Sequence, residues 1–395
     1  MKANGHSPCV LITGGAGFLG SHLARRLLHA GYRVRLLDCL DPQVHPCGVP
    51  KYLPPEAELQ IGDVCDPGAV ARSLRGVSAV VHFAAVVGVG QSMYQMARYN
   101  RTNLQGTAVL LEGMLARQRR PGSGFARLLL AGSMSIYGEG RYLCPACREP
   151  RAALPRTLAQ LRRQDWELHC PACGTALTPQ PTDEAKPPQL GSVYALTKHV
   201  QEQMSQLFGR TYQIPTVVLR FFNTYGPHQA LSNPYTGVAA VFAAELLAGR
   251  APRVFEDGCQ LRDLVSVHDI TAACQLALEA DASDAATAAG VDGGIFNIAS
   301  GETVTVAQLA QQLARALDTS IAPSLTGQFR LGDARHCIAS IAAAQSRLGY
   351  RPSVSLHDGM RELAEWLRQQ AAARKSPALT QERAHAELRA YGLTG

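Results

Sequence analysis

Tyr194 and Lys198 stand four residues apart in the stretch YALTK. On a helix that spacing puts a phenol and an ammonium on one face. A neighbouring cation favours the phenolate and draws a pKa of ~10 toward neutrality, which suits a general base. Taken alone the pair is ordinary helix surface, so its meaning depends on what else the chain brings. A second group is Cys144, Cys147, Cys170 and Cys173, two CPAC knuckles in the pattern C-x2-C-x22-C-x2-C. Four thiolates complete a tetrahedral zinc site and leave no position for water, so the spacing reads as a structural metal site. His169 is a weaker competitor as ligand, and disulfides within each knuckle are the alternative for an oxidising compartment.

The third group is TGGAGFLG, Thr13 to Gly20, with glycines at 14, 15, 17 and 20. It follows an apolar run (CVLI) and opens a pattern with Leu19, Leu23, Leu27 and Leu28 at helical spacing, stopped by Gly31. Strand, glycine turn and helix together are the context in which such a motif binds a dinucleotide. The backbone approaches the pyrophosphate, and the helix N-terminus supplies N–H donors. The expected contacts are Gly14, Gly17, Phe18, Leu19 and Gly20. Asp38, closing the next strand, is placed for a ribose 2′-hydroxyl, so the sequence predicts NAD rather than NADP. Asp63, followed by Val64, is the candidate for the adenine end, with a turn aspartate as the alternative.

Strand-like runs recur at 57–63, 79–85, 126–133 and 215–223, with helical patterns around 93–117 and 194–208. Alternating strands and helices predict an α/β protein with a doubly wound parallel sheet of Rossmann type. The rhythm stops between 141 and 181, where the knuckles lie, and becomes mixed from about 226. The expected organisation is a dinucleotide-binding domain over 1–225, interrupted by a zinc-ribbon insertion at 141–181. A smaller mixed α/β substrate lobe follows over 226–370, then a helix-prone tail over 371–395 to which no role is assigned. The polar stretch 279–294 reads as a surface loop.

These motifs, in this order, resemble the extended short-chain dehydrogenase/reductase family, in its NAD-dependent nucleotide-sugar epimerase and dehydratase branch. The resemblance runs from Val10 to Trp366 outside the knuckles. It rests on TGGAGFLG, GDV, HFAA, NLQGT, SMSIYG, YALTK and RFFNTYGP. It implies that Ser133, Tyr194 and Lys198 are the catalytic group, with Ser133 on the reacting sugar oxygen and Tyr194 as acid/base. Lys198 would also hold the nicotinamide ribose. Ala84 and Asn103 join the cofactor contacts. Asn223, Arg262 and Arg335 are implied toward the diphosphate, and Gln91, Ser92, Ser135 and Tyr235 toward the substrate. The family's 4,6-dehydratases carry an Asp-Glu pair directly after the catalytic Ser/Thr. Here Met134 and Ser135 stand there, and methionine transfers no proton. The expected reaction is therefore 4-epimerisation. Several loops and the CPxC insertion look most like dTDP-L-rhamnose 4-epimerase-type proteins, which implies dTDP-L-rhamnose and dTDP-6-deoxy-L-talose. The alternatives are a dTDP-4-keto-6-deoxysugar reductase, a UDP-hexose 4-epimerase and a non-enzymatic dinucleotide sensor.

Composition sets the remaining bounds. The chain has 395 residues, 46% of them hydrophobic and 17% charged, which suits an ordinary globular protein of about two lobes. No apolar run is long enough for a membrane span. The net charge of +7 is spread along the chain, so a nucleic-acid partner is not expected. Dispersed cysteines and the lack of a secretory segment predict a cytoplasmic protein. A homodimer is the expected assembly.

Overall fold

The computed structural model describes residues 7–119, 124–229, 237–280, 291–373 and 386–394. Its centre is a seven-stranded, wholly parallel sheet. In chain order the first five strands are β1 (Cys9–Thr13), β2 (Arg33–Asp38), β3 (Glu58–Ile61), β4 (Ala79–His82) and β5 (Arg127–Ser133). Thr216–Phe221 and Ile295–Ile298 complete it. From one edge the order is Ile295–Ile298, Thr216–Phe221, β5, β4, β1, β2, β3. Each parallel step needs a crossover, and the helices that supply them cover both faces. β1, β4, β5 and Thr216–Phe221 are buried throughout, as strands covered on both sides must be.

Strand order reverses between β1 and β4, paired so that Thr13 lies opposite His82. Beyond the carboxyl ends of these two strands the chain departs in opposite directions and leaves a crevice, where ligands of doubly wound sheets bind. The helix α1 (Phe18–His29) begins at this crevice. The helix Val193–Tyr212 runs beside it, capped by Ser192, whose hydroxyl accepts the Ala195 amide. Predicted and observed elements agree to within a few residues. The stretch predicted helical at 93–117 is in fact three joined pieces, with a π-helical segment at Asn100–Gln105 before Gly106–Gln118.

After the sheet, helices Val238–Leu247, Val306–Ala316 and Leu356–Ala373 enclose a separate apolar core with Leu309, Leu313, Leu363 and Leu367 at its centre. Residues 141–181 are more regular than their sequence suggests. Arg141–Cys144 pairs antiparallel with Glu149–Arg151 and Thr178–Gln180, over a small core of Tyr142, Ala153, Leu168 and Leu177. That core is too small to hold the segment alone. Ion pairs dock it: Arg156 meets Glu256 at 2.9 Å, and Glu167 meets Arg335 at 2.6 Å and His336 at 3.1 Å. Its stems close on themselves, since the Gln189 amide donates to the Ile136 carbonyl and Arg141 lies opposite Gln180. The loop expected at 279–294 falls largely outside the described residues.

Candidate active site

One cavity of about 1600 Å³ runs from the glycine turn to the smaller lobe. Gly14, Gly17, Phe18, Leu19, Gly20, Asp38, Asp63, Val64 and Ala84 line one end, and Ser133, Ser135, Tyr194, Lys198, Asn223 and Arg262 lie farther along. The glycine turn can be built only from glycine. Gly14 has φ +67°, and a Cβ there would sit 2.8 Å from the Ala84 amide; one on Gly20 would lie 2.5 Å from the Gly14 carbonyl. The turn therefore presses against the β4 loop on one side and against the start of α1 on the other, leaving an open cradle at Gly17, the N-cap. This cradle fits a pyrophosphate at a helix N-terminus.

Asp38 is buried at the tip of β2. Its oxygens accept the Ala16 and Leu40 amides, both at 2.9 Å, which fixes the carboxylate and leaves a lone pair on each oxygen for a diol. Asp63 accepts the Cys65 amide at 2.8 Å and Arg101 at 2.7 Å. Partial burial works against its charge, but those two donors hold its pKa below the usual value. Both acids line the cavity at its glycine-turn end.

The reactive trio comes from two elements. Ser133 ends β5, next to Phe221 in the neighbouring strand, while Tyr194 and Lys198 occupy the first turns of Val193–Tyr212. The Ser133 hydroxyl lies near enough to the Tyr194 phenol to favour its phenolate, and its Oγ lies 2.9 Å from that of Ser135. The Lys198 ammonium donates to the Ala131 carbonyl at 3.1 Å, and burial pulls its pKa down to about 8. The expected lowering of the Tyr194 pKa by Lys198 is absent. Burial raises it, and the Ser133 hydroxyl only partly offsets that rise. Taking the phenolate out of water costs more than the neighbouring hydroxyl returns.

Four predicted contact residues among those described lie outside the cavity lining, and each has a reason. Asn103 is fully buried; its amide clamps the Val86 amide and carbonyl at 2.8 and 3.1 Å and donates to Thr197 at 3.0 Å. It positions a cavity-lining loop against the Tyr194 helix and touches no ligand space. Gln91 accepts Tyr99 at 3.2 Å, and Ser92 donates to the Val89 carbonyl at 2.6 Å, so neighbouring Gly90 and Met93 reach the cavity instead. Arg335 is also misassigned. Its guanidinium is wholly buried among Glu167, Glu256 and Asp257. Arg330, five residues earlier, lines the cavity, and among the described residues its guanidinium meets only the Phe255 ring, at 4.4 Å. The sequence offers two arginines in FRLGDARH and no signal for which faces inward. Tyr235 lies outside the described residues. Arg262 lines the cavity with its guanidinium braced by the carbonyls of Leu261, Ala334 and Arg335. Asn223 lines it too, with a buried Oδ1 that has no hydrogen-bond partner among the described residues.

A second cluster lies in the 141–181 segment. The four cysteine sulfurs lie within 4.8 Å of one another, three pairs at 3.5, 3.6 and 3.9 Å. Tetrahedral zinc with Zn–S of ~2.3 Å requires sulfurs ~3.8 Å apart, so the donor set fits that ion in chemistry and in size. His169 is turned to Asp165 and to the Gly174 carbonyl, not to the cluster. No helix among the described residues is long and apolar enough to cross a membrane.

Comparison with known proteins agrees with this arrangement. The model of the NAD dependent epimerase/dehydratase family matches residues 10–157 and 170–299. A dTDP-L-rhamnose 4-epimerase of Burkholderia thailandensis is 32% identical over 91% of this chain and 95% of its own length. A putative UDP-glucose 4-epimerase of Methanocaldococcus jannaschii is 27% identical over 91% and 98%. Among solved structures, the UDP-glucose 4-epimerase of Thermotoga maritima with UDP-glucose superposes with a TM-score of 0.72 at 29% identity, covering 92% of this chain and 99% of that one. A Streptomyces venezuelae dTDP-glucose 4,6-dehydratase with NAD bound gives 0.71 at 26%, covering 93% and 99%. With the glycine cradle, the aspartate of β2 and the Ser-Tyr-Lys trio in one crevice, this chain belongs to the NAD-dependent epimerase/dehydratase family of enzymes.

Proposed function

We propose that the chain is an NAD-dependent nucleotide-sugar 4-epimerase, with dTDP-L-rhamnose and dTDP-6-deoxy-L-talose as its pair of sugars. The observation that carries the reading is the trio itself. Ser133, Tyr194 and Lys198 meet at one point of the cavity, while the position after Ser133 is Met134, which offers no acid for elimination at the neighbouring carbons. Gly14, Gly17, Gly20, Asp38, Asp63, Val64 and Ala84 would hold NAD. When bound, NAD supplies a hydride acceptor and a cationic ring beside the phenol.

Tyr194 takes the proton from the sugar 4-hydroxyl as that carbon is oxidised, and gives it back after the ketone has presented its other face. Ser133 holds the reacting oxygen. Lys198 fixes the ribose and keeps a positive charge near the phenolate. Arg262, Arg330 and Asn223 face the diphosphate, replacing Arg335 in that role. Met134 and Val87 give the deoxysugar methyl an apolar contact.

The Cys144, Cys147, Cys170 and Cys173 cluster binds one structural zinc that fixes the inserted segment, and the chain divides into a dinucleotide domain over 1–225, the insertion at 141–181 and a substrate lobe over 226–370. Leu196, Leu207 and Tyr212 are exposed apolar side chains on the Tyr194 helix and suit a homodimer contact. The seven cysteines outside the cluster form no disulfide, which fits a cytoplasmic setting. The experiment is incubation of the purified protein with dTDP- and UDP-sugars without added cofactor, products being followed by NMR. Interconversion of 4-epimers without net NADH formation supports the reading. Stoichiometric consumption of added NAD(P)H would replace it with a reductase.

A further inference from the structure

Residues 386–394 lie beyond both the family match and the sequence resemblance, yet they sit on the cavity. Ala386, Leu388, Arg389 and Leu393 are among its lining residues. The segment is attached to both rims. On the dinucleotide side, Leu388 is buried against Gly90, whose missing side chain makes the room: a Cβ there would lie 2.8 Å from the leucine Cδ2. Tyr391 stacks on Tyr94 with ring centroids 4.6 Å apart and planes 9° from parallel, and Tyr94 donates to Glu387 at 2.9 Å. On the smaller-lobe side, the Leu331 amide donates to the Leu393 carbonyl at 3.2 Å, and Arg330 forms an antiparallel bridge with Thr394.

The arrangement places two cations on the wall of the same cavity. Five of the cavity's arginines are already engaged: Arg98 with Asp41, Arg101 with Asp63, Arg250 with Glu245, Arg253 with Gln328, and Arg262 with backbone carbonyls. Among the described residues the Arg330 guanidinium has only the Phe255 ring, and the side chain of exposed Arg389 has no hydrogen-bond or ion-pair partner. Two guanidinium groups on segments that pair with each other, both lining one cavity and neither neutralised, repel unless an anion comes between them. A buried leucine beside one of them supplies an apolar contact at the same wall.

We propose that the C-terminal segment 386–394 is a wall of the nucleotide-sugar site, in which Arg389 joins Arg330 in binding the diphosphate and Leu388 bounds the sugar. This rests on the reading of the cavity as a nucleotide-sugar site. Because the segment spans both rims, it also fixes how far apart they stand when ligand is present, and so sets which sugars fit between Gly90 and Leu331.

The test uses the full-length holoenzyme and two ligands. dTDP binding is measured by calorimetry, and turnover by NMR. Arg389→Ala is expected to weaken dTDP binding and raise KM by roughly five- to tenfold, the worth of one charge-assisted contact at a half-open rim. Its bound NAD and thermal midpoint should stay at their wild-type values, and Arg389→Lys should recover part of the loss. Leu388→Ala should raise KM for dTDP-sugars while leaving dTDP affinity within about twofold, separating the sugar from the diphosphate. Unchanged dTDP affinity and KM in Arg389→Ala would overturn the proposal, as would a wild-type chain that binds no nucleoside diphosphate. Wild-type binding weakened by Arg389→Ala, with no turnover of any sugar, would keep the wall and remove the epimerase reading.

Discussion

In the cavity, the groups that matter are brought together from distant parts of the chain by a seven-stranded sheet and the helices packed on it. In the four-cysteine segment they are gathered by two tight local knuckles and a three-stranded sheet with little core of its own. The first arrangement draws its accuracy from burial: Ser133, Tyr194 and Lys198 inherit their positions from β5 and a capped helix packed against it. The second draws it from charge, through Arg156, Glu167, Arg335 and Glu256, and from four thiols facing one another. One region is held by what surrounds it, the other by what it binds. Substitutions should therefore affect the cavity through chemistry and the insertion through stability.

The largest separation of the two comes from Tyr194→Phe. It removes the proton carrier without disturbing the sheet, and should lower kcat/KM roughly 10³-fold while bound NAD and the thermal midpoint stay near wild type. Cys170→Ser is its counterpart. It should abolish zinc binding measured by metal analysis and lower the midpoint by roughly 5–10 °C, the scale expected for removing a ligand that folds a small segment. A variant that lost its zinc yet kept its midpoint would erase the contrast.

The pH response sharpens the comparison further. Burial disfavours the Lys198 ammonium, so its pKa in the folded protein, about 8, lies below the ordinary 10.5. The cation is present below pH 8 and is lost as pH rises through it, so kcat/KM should fall on that alkaline limb. Lys198→Arg, whose charge persists, should move the limb upward even if its overall rate is lower. Between about pH 8 and 10.5 the folded protein holds fewer protons at this site than the unfolded chain, so this residue's contribution to stability rises with pH there. The insertion responds in the same direction, but in the acid range. Hydrogen bonds from His336 and Arg335 bring Glu167 down to about 2, so its contribution is complete above about pH 4.5 and is lost as pH falls toward 2. Glu167→Gln should lower the midpoint at pH 7 by only about a degree or two, because the carboxylate is partly exposed. That difference should vanish in acid.

Much of this was legible from spacing. The glycine turn, the aspartate at the end of β2, the Tyr-x-x-x-Lys pair and the paired knuckles each act within a few residues, so their geometry is written into local pattern. Asn103, Gln91, Ser92 and Arg335 were placed in the cavity by order of motifs, and the structure puts them behind it. Whether a polar side chain faces a ligand or braces a loop depends on partners far away in sequence: Thr197 for Asn103, Glu167 for Arg335. Arg330 was invisible for the same reason. The lowered Tyr194 pKa was inferred from a charge, but burial also enters the balance, and burial is a property of the whole fold.

The stems of the insertion carry one more consequence. Gly138 has φ +60°, and a Cβ on it would strike the Gln189 carbonyl at 2.5 Å, while Arg141 and Gln180 are already strand neighbours. Departure and return points are thus fastened side by side before the excursion begins, so its length adds nothing to the distance between Ser133 and Tyr194. For an engineer this is a socket: the segment between the stems can be shortened, exchanged or replaced by a reporter without resetting the catalytic spacing. Lineages would be free to add or lose such an appendage in the same way.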